Sequence, residues 1–558
     1  MISDIYTFVN MTSTVLEQNN TSYSVKSSAK LRELYDEYKN GTAPGMNGLR
    51  YYQYLTKTMM TDHNWGIGAD GNARGILVFA EPGLGKTRIA AAIANASNRK
   101  PIILAPNSLK ANFKKTSEYM KKSSGGKSNH EFDYPSLDAH NSAAQIEKFG
   151  GLDNRLLIVD EAHNLFRAII NGSQNARKIY QMIMEAKNLR IVFLTGTPIV
   201  KSPFEMVPCV NMLCGTERLP SNYDTFVDLY LTPDGKVKNR ALLLNRIMGL
   251  VSHVSATTPI EPSNDGKVIK SAREDGWFPE KLPLIIDRVE MSKKQYENYM
   301  LARNREEGET EGKVVKKVVR RVVPMTLPSS GRSSSTYNVK SRSISNFSVP
   351  GTTHIGGIKD LPDDAFTPEF GPKLARISDR ADAAKGPILV YSQFIDHGLH
   401  ALGRFLKLRN YTWVSSADLK HPAEEWVPAK RYAIISGETP PADRVLIQKI
   451  MNDPKNMRGE LIKVIMISKS GAEGLNLMNL RETHQIEYYW DHMRYLQVEA
   501  RAVRLGSHDM LPVADRDVQP YIYIATHNVE SWSKMDEKDR EEKTIDEQLK
   551  AKPEKSFE

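Results

Sequence analysis

The stretch Ala80–Thr87 reads AEPGLGKT and stands between the apolar run Gly75–Phe79 and a helix-like segment, Arg88–Ala96. A strand, a Gly-rich turn and a helix, in that order, aim several backbone N–H groups at one point, and the helix dipole adds positive potential there. The pattern predicts a phosphate cradle in which Pro82, Gly83, Leu84 and Gly85 wrap the phosphates. Lys86 reaches the terminal phosphates and Thr87 holds Mg²⁺. Ala80 stands at the first position, where glycine is usual.

Some 75 residues further on, the apolar run Leu156–Val159 leads into Asp160-Glu161-Ala162-His163. An acidic pair at a strand end is, by itself, an ordinary solvated turn. Joined to the glycine turn it has two tasks: Asp160 completes the Mg²⁺ shell, and Glu161 orients and deprotonates an attacking water. The chain is therefore expected to bind and hydrolyse a nucleoside triphosphate.

At 558 residues, 40% hydrophobic and 25% charged, the chain has the make-up of a soluble protein of two or more domains. No apolar stretch approaches the length of a membrane span, and MISDIYTFVNMTST lacks the basic-then-apolar design of a signal peptide. Cys209 and Cys214 are its two cysteines, in a stretch (MVPCVNMLCG) that reads as a core helix; neither a disulfide framework nor a cysteine-built zinc site is expected. The net charge of +10 is uneven. Lys313–Arg342 carries eight basic residues and no acid, while Glu530–Glu558 carries seven basic and ten acidic ones. A basic balance suits a polyanion, although a charge run is also what a solvated face looks like.

Helical spacing marks Ala29–Tyr38 and Arg50–Met60, after a polar start over residues 1–30. Strand candidates GILVF, PIILA, LLIVD and RIVFLT alternate with helices from Gly75 to about Leu213, which predicts a parallel, doubly wound sheet with its site at the strands' carboxyl ends. RIVFLT runs into Thr195-Gly196-Thr197-Pro198, whose hydroxyls are expected to bond back to the acidic pair. Arg305–Asp360, with its VVKKVVRRVV repeat and Ser-rich piece, reads as a mobile insertion able to order against a phosphate backbone. The alternation resumes with GPILVYS, RYAIISG, IKVIMIS, HQIEYYW and PYIYIAT, a second sheet without a Gly-rich lysine turn. There, Ser468–Asn476 is a Ser- and Gly-rich loop at a strand end. Gln497, Arg501 and Arg504 follow at i, i+4 and i+7, which predicts one helix face carrying two arginines suited to clamp a triphosphate.

Taken together, the motifs resemble the superfamily 2 helicase-like ATPases, in particular the Swi/Snf-type branch. Leu49–Gln53 resembles that branch's adenine-reading motif, with Gln53 as the reader; PIILAPNSLKANF resembles its motif Ia, LTGTPIVKSPFEM its motif III, and QVEARAVRLG its final motif. Ala472-Glu473 depart from the Gly-Leu usual in Swi/Snf proteins. SRSISNFSVP (Ser341–Pro350) and TIDEQLKAK (Thr544–Lys552) are similar to segments in transcription-associated ATPases of large cytoplasmic DNA viruses. That is the group of poxvirus nucleoside triphosphate phosphohydrolase I and the early transcription factor small subunit, and the similarity suggests order near Asn346-Phe347.

The resemblance implies an α/β fold of two RecA-like parallel-sheet lobes with an ATP cleft between them. Its expected divisions are an extension over 1–48, lobe 1 over 49–285, a linker and basic insertion over 286–365, lobe 2 over 366–528 and a charged tail over 529–558. Lys86, Asp160 and Glu161 would meet Gln497, Arg501 and Arg504 across ATP and Mg²⁺. Nucleic-acid contacts, to DNA rather than RNA, are expected from Asn107, Ser108, Thr197, Ser470 and the basic insertion, mostly to phosphate. The implied protein partner is a viral RNA polymerase or transcription factor, no membrane is involved, and the implied place is the virion interior or host cytoplasm. Two other readings stand beside a DNA translocase acting in initiation or transcript release: an RNA helicase that unwinds duplexes, and a nucleotide-gated, non-motor subunit of a polymerase.

Overall fold

Gly75–Ala80 (β1), Pro101–Leu104 (β2), Leu156–Asp160 (β3) and Arg190–Thr195 (β4) form strands where the apolar runs predict them. All but Arg190 are buried throughout, as Val/Ile/Leu runs must be in a sheet covered on both faces. The computed structural model describes residues 33–34, 36–38, 40–41, 48–61, 73–81, 83–123, 132–137, 141–197, 199, 202–233, 235–254, 278–311, 339–350, 358–422, 425–469, 475–488, 492–504 and 506–527. The polar start, the VVKKVVRRVV repeat, Gly471–Gly474 and the charged tail lie outside them. Described residues up to 254 belong to one unit and those from 278 onward to another.

In the first unit the parallel sheet has the order β2-β3-β4-β1-β5. β5 (Val251–Val254) was not among the strand candidates: VSHV is short, and its Ser and His break the apolar run. Inward residues Leu77, Phe79, Leu157 and Phe193 pack with Phe166, Ile183, Phe204 and Met212 from the connecting helices. The helix Met206–Cys214 carries Cys209 into this core, and both cysteines are free thiols.

The second unit contains β6 (Glu280–Lys281), β7 (Ile285–Glu290), β8 (Ile388–Tyr391), β9 (Thr412–Trp413), β10 (Arg431–Ile435), β11 (Val464–Ile467), β12 (Glu482–Gln485) and β13 (Asp517–Thr526). They run in the order β6-β13-β12-β8-β11-β10-β9, all parallel, with β7 also on β13. Alternation divides β8 between two cores. Ile388 and Val390 meet Leu374, Leu402 and Phe405, while Leu389 and Tyr391 meet Ile447, Met451 and Val498 on the other face. Among the described residues no helix is long and apolar enough to cross a membrane.

Two expectations are corrected. HQIEYYW is a strand only at its start, because β12 ends at Gln485 and Glu487 turns into a buried polar cluster. The mobile-insertion reading fails for the part of Arg305–Asp360 that includes Val339–Pro350. A short helix, Val339–Ile344, is followed by chain in which Asn346, Phe347, Ser348 and Val349 are all buried. The Ser-rich composition hid this, since the Ser341, Ser345 and Ser348 hydroxyls and the Asn346 Nδ2 find protein partners instead of water.

Phe347 is 0% exposed, stacks on Phe366 at 4.9 Å and meets Phe405 edge-on at 6.2 Å. Phe347→Ala should therefore cost about 3–5 kcal/mol, read as a lowered denaturant midpoint for the second unit. An unchanged midpoint would mean that the segment is peripheral.

Candidate active site

Neighbouring strands β1 and β4 send their connections in opposite directions, β1 past β4 toward β2 and β4 past β1 toward β5, and with right-handed crossovers the two part to opposite faces of the sheet. Such a parting opens a crevice at the strands' carboxyl ends. The glycine turn, the acidic pair and Thr195 all sit at those ends.

Gly83 (φ 90°) and Gly85 (φ 79°) place the turn in left-handed backbone that side chains disfavour, and Gly85 caps the helix Lys86–Ala96. A Cβ on Gly85 would lie 2.5 Å from Gln53 Nε2. Gln53 is fully buried on the helix Tyr51–Thr61 and braces the turn. Its Nε2 donates to the Leu84 carbonyl at 3.1 Å, and its Oε1 accepts from the Arg50 amide at 3.0 Å. Tyr52 hydroxyl donates to the same Leu84 carbonyl at 2.7 Å, a bracing role that the sequence reading did not assign. Lys86 arches back over the turn, its Nζ donating to the Ala80 carbonyl at 2.9 Å, and Thr87 is half-buried beside it. Pro82 lies outside the described residues.

Asp160 is 5% exposed and its Oδ1 accepts from the Glu161 amide at 3.0 Å. Burial, then the Glu161 charge, hold its carboxyl well above the usual carboxylate range, against the pull of Lys86. A buried carboxylate so placed fits a cation. One such carboxylate and a hydroxyl like that of Thr87, in the first turn of the helix Lys86–Ala96, are the kind of sparse oxygen donors that suit Mg²⁺ held mainly through phosphates and water. No cluster of three or more His, Cys, Asp and Glu side chains that would cage a metal occurs among the described residues.

Glu161 has φ 50°, left-handed backbone in a non-glycine residue, a strained state found where function requires it. His163 Nδ1 lies 3.5 Å from the Glu161 carboxylate and 3.0 Å from Thr195 Oγ1, which also accepts from the Thr197 amide at 2.9 Å. The expected bond from the threonines to the acidic pair is thus corrected: His163 stands between them. The position of His163 three residues past Asp160 was the available signal. Thr197 is buried, and its hydroxyl has no partner among the described residues. Asn107 is exposed at the start of the helix Asn107–Ser123, which also contains Ser108; Ser470 lies outside the described residues.

In the second unit, Gln497 and Arg501 share a face of the helix His492–Ala502, but this helix ends before Arg504, so the expected single face of three is corrected. The turn beyond the helix still brings the two arginines to the same chain segment. Arg501 Nη1 donates to the Leu475 carbonyl at 3.2 Å, Arg504 Nη1 to Asn476 Oδ1 at 3.1 Å and Arg504 Nε to the Ala500 carbonyl at 2.7 Å. Burial, then the Arg501 charge, lower the Arg504 pKa, a crowding that an anion would relieve.

Residues 46–200 match the family described as type III restriction enzyme, res subunit. A termination factor NPH-I homologue of African swine fever virus is 38% identical over 596 residues, covering 95% of this chain and 82% of the relative. A protein of Acanthamoeba polyphaga mimivirus named for an ATP-dependent RNA helicase is 28% identical over 81% of this chain and 79% of its own. Among solved structures, the Sulfolobus solfataricus SWI2/SNF2 ATPase core in complex with double-stranded DNA aligns over 86% of this chain and 88% of that one, at 17% identity and a TM-score of 0.34. The chain belongs to the family of viral NPH-I homologues, helicase-like nucleoside triphosphatases of superfamily 2.

Proposed function

We propose that this ATPase is a motor that moves along nucleic acid, with DNA as its track, and serves viral transcription at initiation or at termination and transcript release, in the virion interior or the host cytoplasm. The carrying observation is the buried Asp160 and strained Glu161 at the strand ends that also present the glycine turn. The African swine fever virus relative bears the name of a termination factor, which supports the reading.

In this mechanism the Gly83–Gly85 amides and Lys86 bind the phosphates of ATP, with Gln53 at the adenine. Thr87 and Asp160 would hold Mg²⁺, which when bound neutralises charge on the phosphates. Glu161 takes a proton from the attacking water while His163 keeps its carboxylate oriented. Arg501 and Arg504, with Gln497 beside them, come from the second unit to stabilise charge on the transferring phosphoryl group. Asn107, Ser108 and Ser470 contact the track's phosphates.

ATPase rate measured with single-stranded DNA, duplex DNA and RNA separately tests the reading. DNA is expected to stimulate most. Stimulation by RNA alone would turn it to an RNA helicase, which the mimivirus relative's name favours, and a rate indifferent to every polymer would leave a nucleotide-gated subunit.

A further inference from the structure

The second unit repeats the architectural feature that makes a site in the first. The chain leaves β8 toward β9 and β12 toward β13, so the connections part between the neighbouring strands β8 and β12. In an open parallel sheet a ligand enters at such a place. Here it is filled from within.

Glu487, 2% exposed just past β12, reaches the turn just past β8. Its carboxylate accepts from the Gln393 amide at 2.6 Å, lies 3.0 and 3.1 Å from Ser392 Oγ, and accepts from Asn346 Nδ2 at 3.0 Å. Arg342, also buried, lies under the same turn. Its guanidinium is 5.5 Å from the Phe394 ring centre, and the Gln393 amide oxygen, turned toward it, accepts from its Nη1 at 3.2 Å. The Phe347 carbonyl meets His397 Nδ1 at 2.8 Å, in the π-helical turn Ile395–His400. Gly398 allows the tight return, since a Cβ there would run into Ser392. The plugging segment is itself held, with Gln295 Nε2 donating to the Ile344 carbonyl at 2.9 Å and Asn298 Nδ2 to Ser348 Oγ at 2.7 Å.

We propose that Ser341–Val349 is a built-in plug of the second unit's strand-end crevice. It clamps the Ser392–His397 turn in one conformation, which makes Arg342, Asn346 and Glu487 positioning residues for the polymer-stimulated ATPase. The plug supplies a physical reason why the second sheet needs no nucleotide of its own. A buried carboxylate with two N–H donors and a hydroxyl stands where a phosphate would otherwise draw such donors. The turn it fixes leaves the sheet beside the loop after β11, since Tyr391 pairs with Ile467 and the Ser392 amide donates to the Ile467 carbonyl at 3.2 Å. Only this functional consequence rests on the motor reading, in which the β11 loop grips the track.

The test is Glu487→Gln in the full chain, which keeps shape but removes the charge that Gln393, Asn346 and Arg342 address. Hydrogen exchange over 392–398 is measured together with basal and polymer-stimulated ATPase. Exchange should accelerate over that stretch, basal turnover should stay near wild type, and the DNA concentration for half-maximal stimulation should rise about fivefold or more. Arg342→Lys, which keeps the charge, should fall between the two. Unchanged exchange overturns the clamp; faster exchange with unchanged stimulation overturns its positioning role. If wild type responds to no polymer, the motor reading fails, while the exchange result still decides the plug. Where Glu487→Gln does not fold, Ser392→Ala removes one donor with little loss of packing and is read in the same way.

Discussion

Glu161→Gln is expected to lower kcat by about 10²–10⁴-fold while leaving nucleotide affinity close to wild type. Glutamine has the size of glutamate and retains an oxygen for His163 Nδ1, 3.5 Å away in the wild type. It tolerates the left-handed backbone at this position no worse than glutamate does. What it lacks is the ability to take a proton, so the loss should fall on the chemical step alone. Lys86→Ala should differ in kind. It removes the cation proposed to bind the phosphates, which also lowers the Asp160 pKa, so affinity and turnover should fall together. Phosphate release, paired with binding of a fluorescent nucleotide, separates the two patterns. Near-normal turnover in Glu161→Gln would remove Glu161 from the chemistry, and near-normal binding by Lys86→Ala would remove Lys86 from the cradle.

Legibility in the sequence followed how local the physics is. A glycine turn between a strand and a helix is set by neighbours in the chain, so AEPGLGKT could be placed on the end of β1, and LLIVDEAH on the end of β3, from spacing alone. The fully buried strands were equally plain, being short Val/Ile/Leu runs. Other features depend on contacts distant in sequence. β9 is two exposed residues, Thr412 and Trp413, whose strand character comes entirely from β10 beside it. Nothing near Tyr52 indicates that its hydroxyl seeks a carbonyl 32 positions away. Ser341–Val349 is the largest such case. Composition marks it as loop, yet Asn346 is buried because Glu487, 141 residues on, needs a donor. The resemblance of SRSISNFSVP to viral ATPases pointed to order there, which periodicity could not do.

The second large effect is expected at the arginines. Arg504→Ala should lose at least about tenfold in kcat, toward the 10³–10⁵ range of arginine fingers, with the KM for ATP little changed. The reasoning starts from charge. Burial, then the charge of neighbouring Arg501, lower the Arg504 pKa, so a guanidinium held there beside Asn476 gains most where negative charge grows, as is proposed for the transferring phosphoryl group. Arg504→Lys should recover little, because a single ammonium cannot reproduce a planar fork that bonds Ala500 and Asn476 and still has N–H donors to spare. A role confined to those local bonds makes a different prediction: a lower thermal midpoint with undiminished kcat per folded molecule. Steady-state kinetics at saturating DNA, set beside the unfolding midpoint of each variant, distinguishes the two. A change in KM alone would show that Arg504 binds ATP without assisting its hydrolysis, and the proposed charge stabilisation would then rest on Arg501.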